Sequence, residues 1–156
     1  MSDDLSRLEA WLQPVMDSMS PGDRRKLALA IGRMLRRSNA ARIAANVEPD
    51  GSAMEPRKAR VGRDGRTIKR RGRMFRKLRL LRSLRVRPTP EEVAVTFASP
   101  QVERTAAAHH FGLVDFVGKG RDGRTIRTRY PARRLLGFGA DDLDEIPAIV
   151  LRHLKP

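Results

Sequence analysis

The stretch from Ala106 to Phe138 most constrains what this chain can fold into, because it carries the stop and start signals of successive elements with little slack between them. Ala106-Ala107-Ala108-His109-His110-Phe111 reads as the end of a helix. Gly112 can take the positive φ that closes it, folding Leu113 back on the last turn. Val114 and Val117, then Thr125, Ile126 and Tyr130, have strand character, and Gly120, Asp122 and Gly123 supply the turn of a hairpin. Pro131 cannot donate to a sheet ladder, so the second strand ends there. Arg133 to Phe138 must then wrap as a short turn or helix carrying Leu135, Leu136 and Phe138.

Upstream, Leu5, Leu8, Leu12, Val15 and Met19 fall on one face of a helix, with Asp3 and Asp4 at the favourable end of its dipole. Pro14 predicts a kink or an early end near Gln13. Ser20-Pro21-Gly22-Asp23 is a second helix start, with a capping serine, proline at the first helical position and Asp23 able to complete a capping box. The long helix that follows keeps an apolar stripe through Leu27, Ile31, Met34 and Leu35, and it pairs with the first as a hairpin; Glu48-Pro49-Asp50-Gly51-Ser52 ends it. Met74, Phe75, Leu78, Leu81 and Leu84 predict a short amphipathic helix. Leu84–Arg87 and Val93–Phe97 read as strands joined through Pro88 to Glu92. Ser99-Pro100 starts the helix Pro100–Phe111, and Asp141–Leu154 forms the last, with Ile146, Ile149, Val150 and Leu154 on its buried side and a bend expected at Pro147. The class is α+β: an N-terminal helical hairpin (1–46), a basic flexible loop or arm (47–73), and an α+β core (74–156) that forms one domain with 1–46. The core is a small, mostly antiparallel sheet with helices packed on it.

Charge is concentrated. The net charge is +15, and the window Arg57 to Arg87 holds fifteen Lys or Arg against one acid, Asp64, a net +14. From Pro56 to Gly72 only Val61 and Ile68 are sizeable apolar residues, so burial cannot offset the ordering entropy there; the segment is expected to be flexible in the free subunit and to order on assembly. Arg63, Arg66, Lys69, Arg70, Arg71, Arg73, Arg76 and Arg79 are the candidate partner-binding residues. The run has three readings: a solvated face, a nucleic-acid surface, or a docking arm for acidic subunits. Arginine dominance suits bidentate carboxylate or phosphate recognition, whereas a single aromatic, Phe75, disfavours single-strand binding by stacking. Gly62-Arg63-Asp64-Gly65-Arg66-Thr67-Ile68 recurs as Gly120-Arg121-Asp122-Gly123-Arg124-Thr125-Ile126. The flanks do not match, so this is a turn solution used twice rather than a two-repeat fold.

Catalytic chemistry finds little support. With no cysteine there is no thiolate, disulfide or iron-sulfur site. His109 and His110 are adjacent and would point ~100° apart on a helix, so they do not chelate one ion. No Walker loop, Gly-x-Ser-x-Gly or zincin helix is present, and no cofactor or metal is expected. The acidic start lacks the pattern of a signal peptide, and no apolar run reaches the ~20 residues of a spanning helix. A soluble cytosolic product without membrane contact is expected.

The helix end Ala106-x-x-His109-His110-Phe111-Gly112-Leu113, the basic hairpin, and Tyr130-Pro131-x-Arg133-x-Leu135-Leu136-Gly137-Phe138 resemble the phage virion-morphogenesis or tail-completion family. The similarity extends to Arg42-Ile43-Ala44-Ala45 with Pro49-Asp50-Gly51, to Met74-Phe75-x-x-Leu78-Arg79, and to Leu151-Arg152-His153-Leu154. It implies a non-enzymatic structural protein at the head-proximal end of the tail, terminator-like and needed for head-tail joining. It also implies a homo-oligomeric ring, six subunits by similarity with tail symmetry, that contacts tail tube or sheath and neck proteins or DNA in the channel. The protein would assemble in the host cytoplasm and remain in the virion. A basic nucleic-acid-binding protein is the alternative. His109, Phe111, Gly112, Tyr130, Arg133, Leu136 and Phe138 are the candidate structural or subunit-interface residues. His109 is either a satisfied polar group at a helix end or a contact to a neighbour, and Arg133 is expected to pair with an acid within the fold or across a subunit boundary.

Overall fold

The computed structural model describes residues 2–61, 65–68, 74–120 and 122–154. Helix α1 (Ser2–Ser18) continues past Pro14, so the proline does not end it at Gln13. Pro14 is exposed, where a carbonyl freed from the helix ladder can bond to water. Helix α2 (Pro21–Ala45) begins at the Ser20 cap, whose Oγ accepts from the Asp23 N–H at 3.2 Å and donates to the Asp23 carboxylate at 2.7 Å. The carboxylate is thus held by the serine hydroxyl, a variant of the reciprocal box. Asn46 closes the helix at φ 58°, a left-handed conformation that asparagine tolerates.

Helix α2 is the spine. On one side Leu27, Met34 and Leu35 meet Ile146, Ile149 and Val150 of α4 (Ala140–Leu154), and Leu8, Leu12, Val15 and Met16 of α1 pack against that cluster. Further along, Ala40 and Ile43 join Met54, Met74, Leu78, Leu84, Phe97, Ala106 and Leu135 in a second cluster. The buried side of α4 stops short of the expected one, because Leu154 is exposed while Ile146, Ile149 and Val150 are buried.

Short antiparallel hairpins complete the α+β architecture. Strands β1 (Arg60–Val61) and β2 (Thr67–Ile68) pair, as do β3 (Leu84–Pro88) with β4 (Val93–Phe97), and β5 (Val114–Lys119) with β6 (Thr125–Arg129). The strands expected to form one sheet therefore remain as separate two-stranded pieces. Helix α3 (Pro100–His110) follows β4 and packs against both β4 and β5, so it stands between the hairpins rather than covering a continuous sheet. Where both copies of the repeated segment are described they agree: Val61↔Thr67 and Arg60↔Ile68 have the same register as Lys119↔Thr125 and Gly118↔Ile126, and Gly65 and Gly123 both sit at φ 75°.

The short helix expected over Met74 to Leu84 is absent. Residues 74–79 are successive turns, and only a 3-10 turn, Leu81–Ser83, precedes β3. Phe75 has φ 55°, which a bulky residue cannot sustain inside a right-handed helix. Met74, Leu78 and Leu84 are nonetheless buried while Leu81 is exposed, so the apolar spacing reports most of the burial without a helix. The wrap after Pro131 is likewise irregular, with Leu135 buried, Leu136 half-buried and Phe138 exposed.

Gly32 shows how closely α2 lies on the β3–β4 hairpin: a Cβ there would stand 2.3 Å from Val86 Cγ1 and 2.6 Å from Val93 Cγ2. Replacing glycine by alanine inside a helix ordinarily gains about 1 kcal/mol. Here two stiff β-branched neighbours make overpacking dominate. Gly32→Ala is expected to destabilise by ~1–3 kcal/mol in urea titration, reversing the usual sign.

Candidate functional site

The motif residues between α3 and α4 converge on one cluster. Gly112, at φ 66°, turns the chain so that the Leu113 N–H donates to the Ala108 carbonyl at 2.8 Å. A Cβ on Gly112 would stand 3.0 Å from the Ala132 nitrogen, so close backbone approach as well as φ requires glycine. The returning strand is tied down by the Tyr130 N–H to the Leu113 carbonyl at 3.1 Å and the Arg133 N–H to the His109 carbonyl at 2.8 Å.

His109 then lies between two aromatic rings, Phe75 at 4.9 Å edge-on and Tyr130 at 4.1 Å tilted, with Arg133 Nη1 3.3 Å from its Nδ1. Arginine can only donate, so Nδ1 is the unprotonated acceptor. Burial, reinforced by the Arg133 charge and opposed by Asp115, pushes the His109 pKa down to about 4. His110 is held similarly, its Nδ1 accepting the Leu135 N–H at 3.1 Å, and burial lowers its pKa. Both histidines are thereby satisfied polar groups at a helix end.

Arg133 is 3% exposed. The expected ion pair with an acid within the fold is not formed among the described residues; main-chain carbonyls take its place. Arg133 Nε donates to the Glu55 carbonyl at 2.5 Å and its Nη2 to the Pro56 carbonyl at 3.0 Å, with the guanidinium 6.0 Å from the Phe75 ring centroid. Burial lowers its pKa below the ordinary guanidinium value. Arg134 takes the acids instead: Nε donates to Glu48 at 2.8 Å and Nη2 to Asp50. Hydrogen bonds from Ser52, then Arg134, hold Asp50 down at about 2. These contacts fasten residues 48–56 to the wrap between β6 and α4.

A cavity of about 550 Å³ opens beside the cluster, lined by Arg57, Lys58, Phe75, Arg129, Tyr130 and Arg133 among others, and no acid among the described residues lines it. It offers cationic donors and an aromatic wall, which suits an anionic group. Among the described residues no cluster of His, Asp and Glu could hold a metal ion, and no helix is long and apolar enough to cross a membrane.

The other candidates scatter. Arg66, Arg76 and Arg79 are exposed, whereas Arg63, Lys69, Arg70, Arg71 and Arg73 lie outside the described residues. Phe111 projects outward at 68% exposure, Phe138 is also exposed, and Leu136 packs on the second core cluster. Sequence reasoning missed a buried pair. Arg42 Nη1 donates to Asp142 at 2.7 Å, and its Nη2 to the Gly137 carbonyl at 2.7 Å. Asp142, in the first turn of α4, is 2% exposed and also accepts the Gly139 N–H at 2.7 Å. The available signal was Arg42 itself, an arginine in an otherwise apolar Ile43-Ala44-Ala45 context. Phe75 was likewise missed as a partner of His109.

The family model described as phage virion morphogenesis family matches residues 3–155. The chain belongs to that family. A relative within reach is the Tail completion protein S of Escherichia phage P2, 35% identical over 152 residues, covering 97% of this chain and 98% of the relative. No solved structure matches the chain. The family assignment spans both core clusters and the His109–Arg133 site, so the resemblance read from the motifs extends to nearly the full length.

The depressed His109 pKa carries a test. The neutral ring is the folded form, so its contribution is fully present above the unfolded value of 6.5 and is lost as pH falls through about 4. Discounted for partial solvent screening, the loss is ~1–2 kcal/mol. Thermal melts should show stability falling across that window in the parent chain, and His109→Gln should flatten the fall.

Proposed function

We propose that this chain is a non-enzymatic structural protein that completes the phage tail at its head-proximal end and permits joining to the capsid. The observation that carries the reading is the near full-length match to a relative named for tail completion. A terminator of this kind must contact copies of itself, tail tube or sheath, and neck proteins, and it acts as a homo-oligomeric ring, six subunits by tail symmetry. Exposed apolar side chains, Phe111, Val114, Phe116 and Ile126 among them, suit a subunit that is completed by neighbours. The candidate residues His109, Gly112, Tyr130, Arg133 and Leu136 shape the frame that presents them, and Phe111 and Phe138 face outward. The basic segment, through Arg63, Arg66, Lys69, Arg70, Arg71, Arg73, Arg76 and Arg79, grips acidic partners or faces DNA in the channel. The protein assembles in the host cytoplasm and stays in the virion at the head-tail junction.

Removing the protein from the producing phage and imaging the lysate tests this. Filled heads beside unattached tails, often of abnormal length, are expected; normal joined virions would refute the reading. The concentrated charge of Arg57 to Arg87 favours one rival, a free nucleic-acid-binding protein. That rival requires tight DNA binding without tails, with affinity falling at a log-log salt slope of ~0.9 per phosphate contacted.

A further inference from the structure

The charge of the chain is segregated in a way that the basic run conceals. Helix α1 holds four acids against Arg7, and α4 four acids against Arg152, a combined −6 in a chain whose net charge is +15. Between them opens a groove of about 630 Å³ lined by Leu8, Trp11, Leu143, Asp144 and Pro147, with Arg7 at its border. Asp141, Asp144 and Glu145 are exposed. The apolar lining continues along α4 at helical spacing through Leu151 and Leu154, 52% and 42% exposed, a stripe apart from the buried Ile146, Ile149 and Val150.

The β5–β6 hairpin is the converse surface. Register places Val114 opposite Arg129 and Phe116 opposite Arg127, so these four share one face, and all four are exposed. Asp115 is on the other face, bound to Arg104 at 3.1 Å, which leaves the open face with an apolar centre and a basic border. Its apolar pair matches the groove, and its arginines match the acids of α4.

We propose that the open face of the β5–β6 hairpin seats in the α1–α4 groove of the next copy of this chain. The inference rests on the ring reading above and names its contact. Two different, complementary patches on one chain give a heterologous, head-to-tail interface, which closes into a ring when the rotation permits. Phe116 and Val114 lie against Trp11, Leu143 and Pro147, and Arg127 faces Asp144.

The chain has no cysteine, so introduced thiols report contacts cleanly. Thr125→Cys on the hairpin and Ala140→Cys at the groove are both at exposed positions. Full-length protein, both purified and in tails isolated from producing cells, is oxidised and resolved by size. The double variant should give a ladder of oligomers, and a mixture of the two single variants should give one dimer band. Single variants cross-linked to themselves would show a two-fold contact and overturn the proposal. A ring by sedimentation with no cross-link would overturn the proposed contact while leaving the ring reading intact, whereas monomer in both settings would remove both. Charge reversal supplies an independent arm in the two-cysteine background: Arg127→Glu and Asp144→Arg should each cut the cross-linked yield roughly tenfold, and together restore it. Failure of the pair to restore it, in protein that circular dichroism shows to be folded, would also count against the contact.

Discussion

Asp142→Ala should destabilise the fold by ~3–5 kcal/mol, the cost of breaking a buried ion pair from one side. The carboxylate is 2% exposed, and its partner Arg42 is 15% exposed, so neither charge is well served by water once the other is gone. The same oxygen, Oδ2, accepts both Arg42 Nη1 and the Gly139 N–H, so alanine strands a guanidinium and a main-chain donor together. Among the described residues Arg42 retains only Ser38 Oγ and the Gly137 carbonyl. Asp142→Asn keeps an acceptor for Gly139 and should retain more stability than alanine. Urea denaturation of the three proteins checks the order; an alanine variant within 1 kcal/mol of the parent would mean that water reaches Arg42 freely.

Arg133→Ala is expected to cost ~2–4 kcal/mol, because two main-chain carbonyls lose their donors and a cavity opens beside Phe75. The loss should be local first: residues 48–56 would detach from the wrap after β6, and His109 would lose its Nδ1 donor. Arg134→Ala offers the contrast within one residue. Its guanidinium side chain is 49% exposed, so water can solvate the charge on either side of its pairs with Asp50 and the more sheltered Glu48, and their loss should cost less than that of Arg133. Paired thermal melts, with hydrogen exchange at residues 54–56, distinguish the two. Equal, small effects would remove Arg133 from the frame of the site.

This distinction between adjacent arginines was not legible in the sequence, which led to an acid for Arg133 where the acids in fact meet Arg134. Local chemistry determined the helix starts at Ser20-Pro21 and Ser99-Pro100, the glycine closure at Gly112 and the Asp-Gly turns, because each depends on a few dihedrals and donors close in sequence. Periodicity determined α2 and the buried side of α4 except for Leu154, which is exposed. Over Met74 to Leu84 it failed, since Met74, Leu78 and Leu84 reach the core through turns, with Phe75 at φ 55°, while Leu81 stays exposed. Motif order sufficed for the family. Tertiary structure alone decided that the hairpins stay separate, that Arg133 is met by the carbonyls of Glu55 and Pro56, and that Asp142 is a buried partner of Arg42 rather than a helix-dipole acid. Those partners lie 77 to 100 residues away along the chain. Which charges meet across such a distance is set by how α2, α4 and the wrap pack together, and no local pattern encodes it.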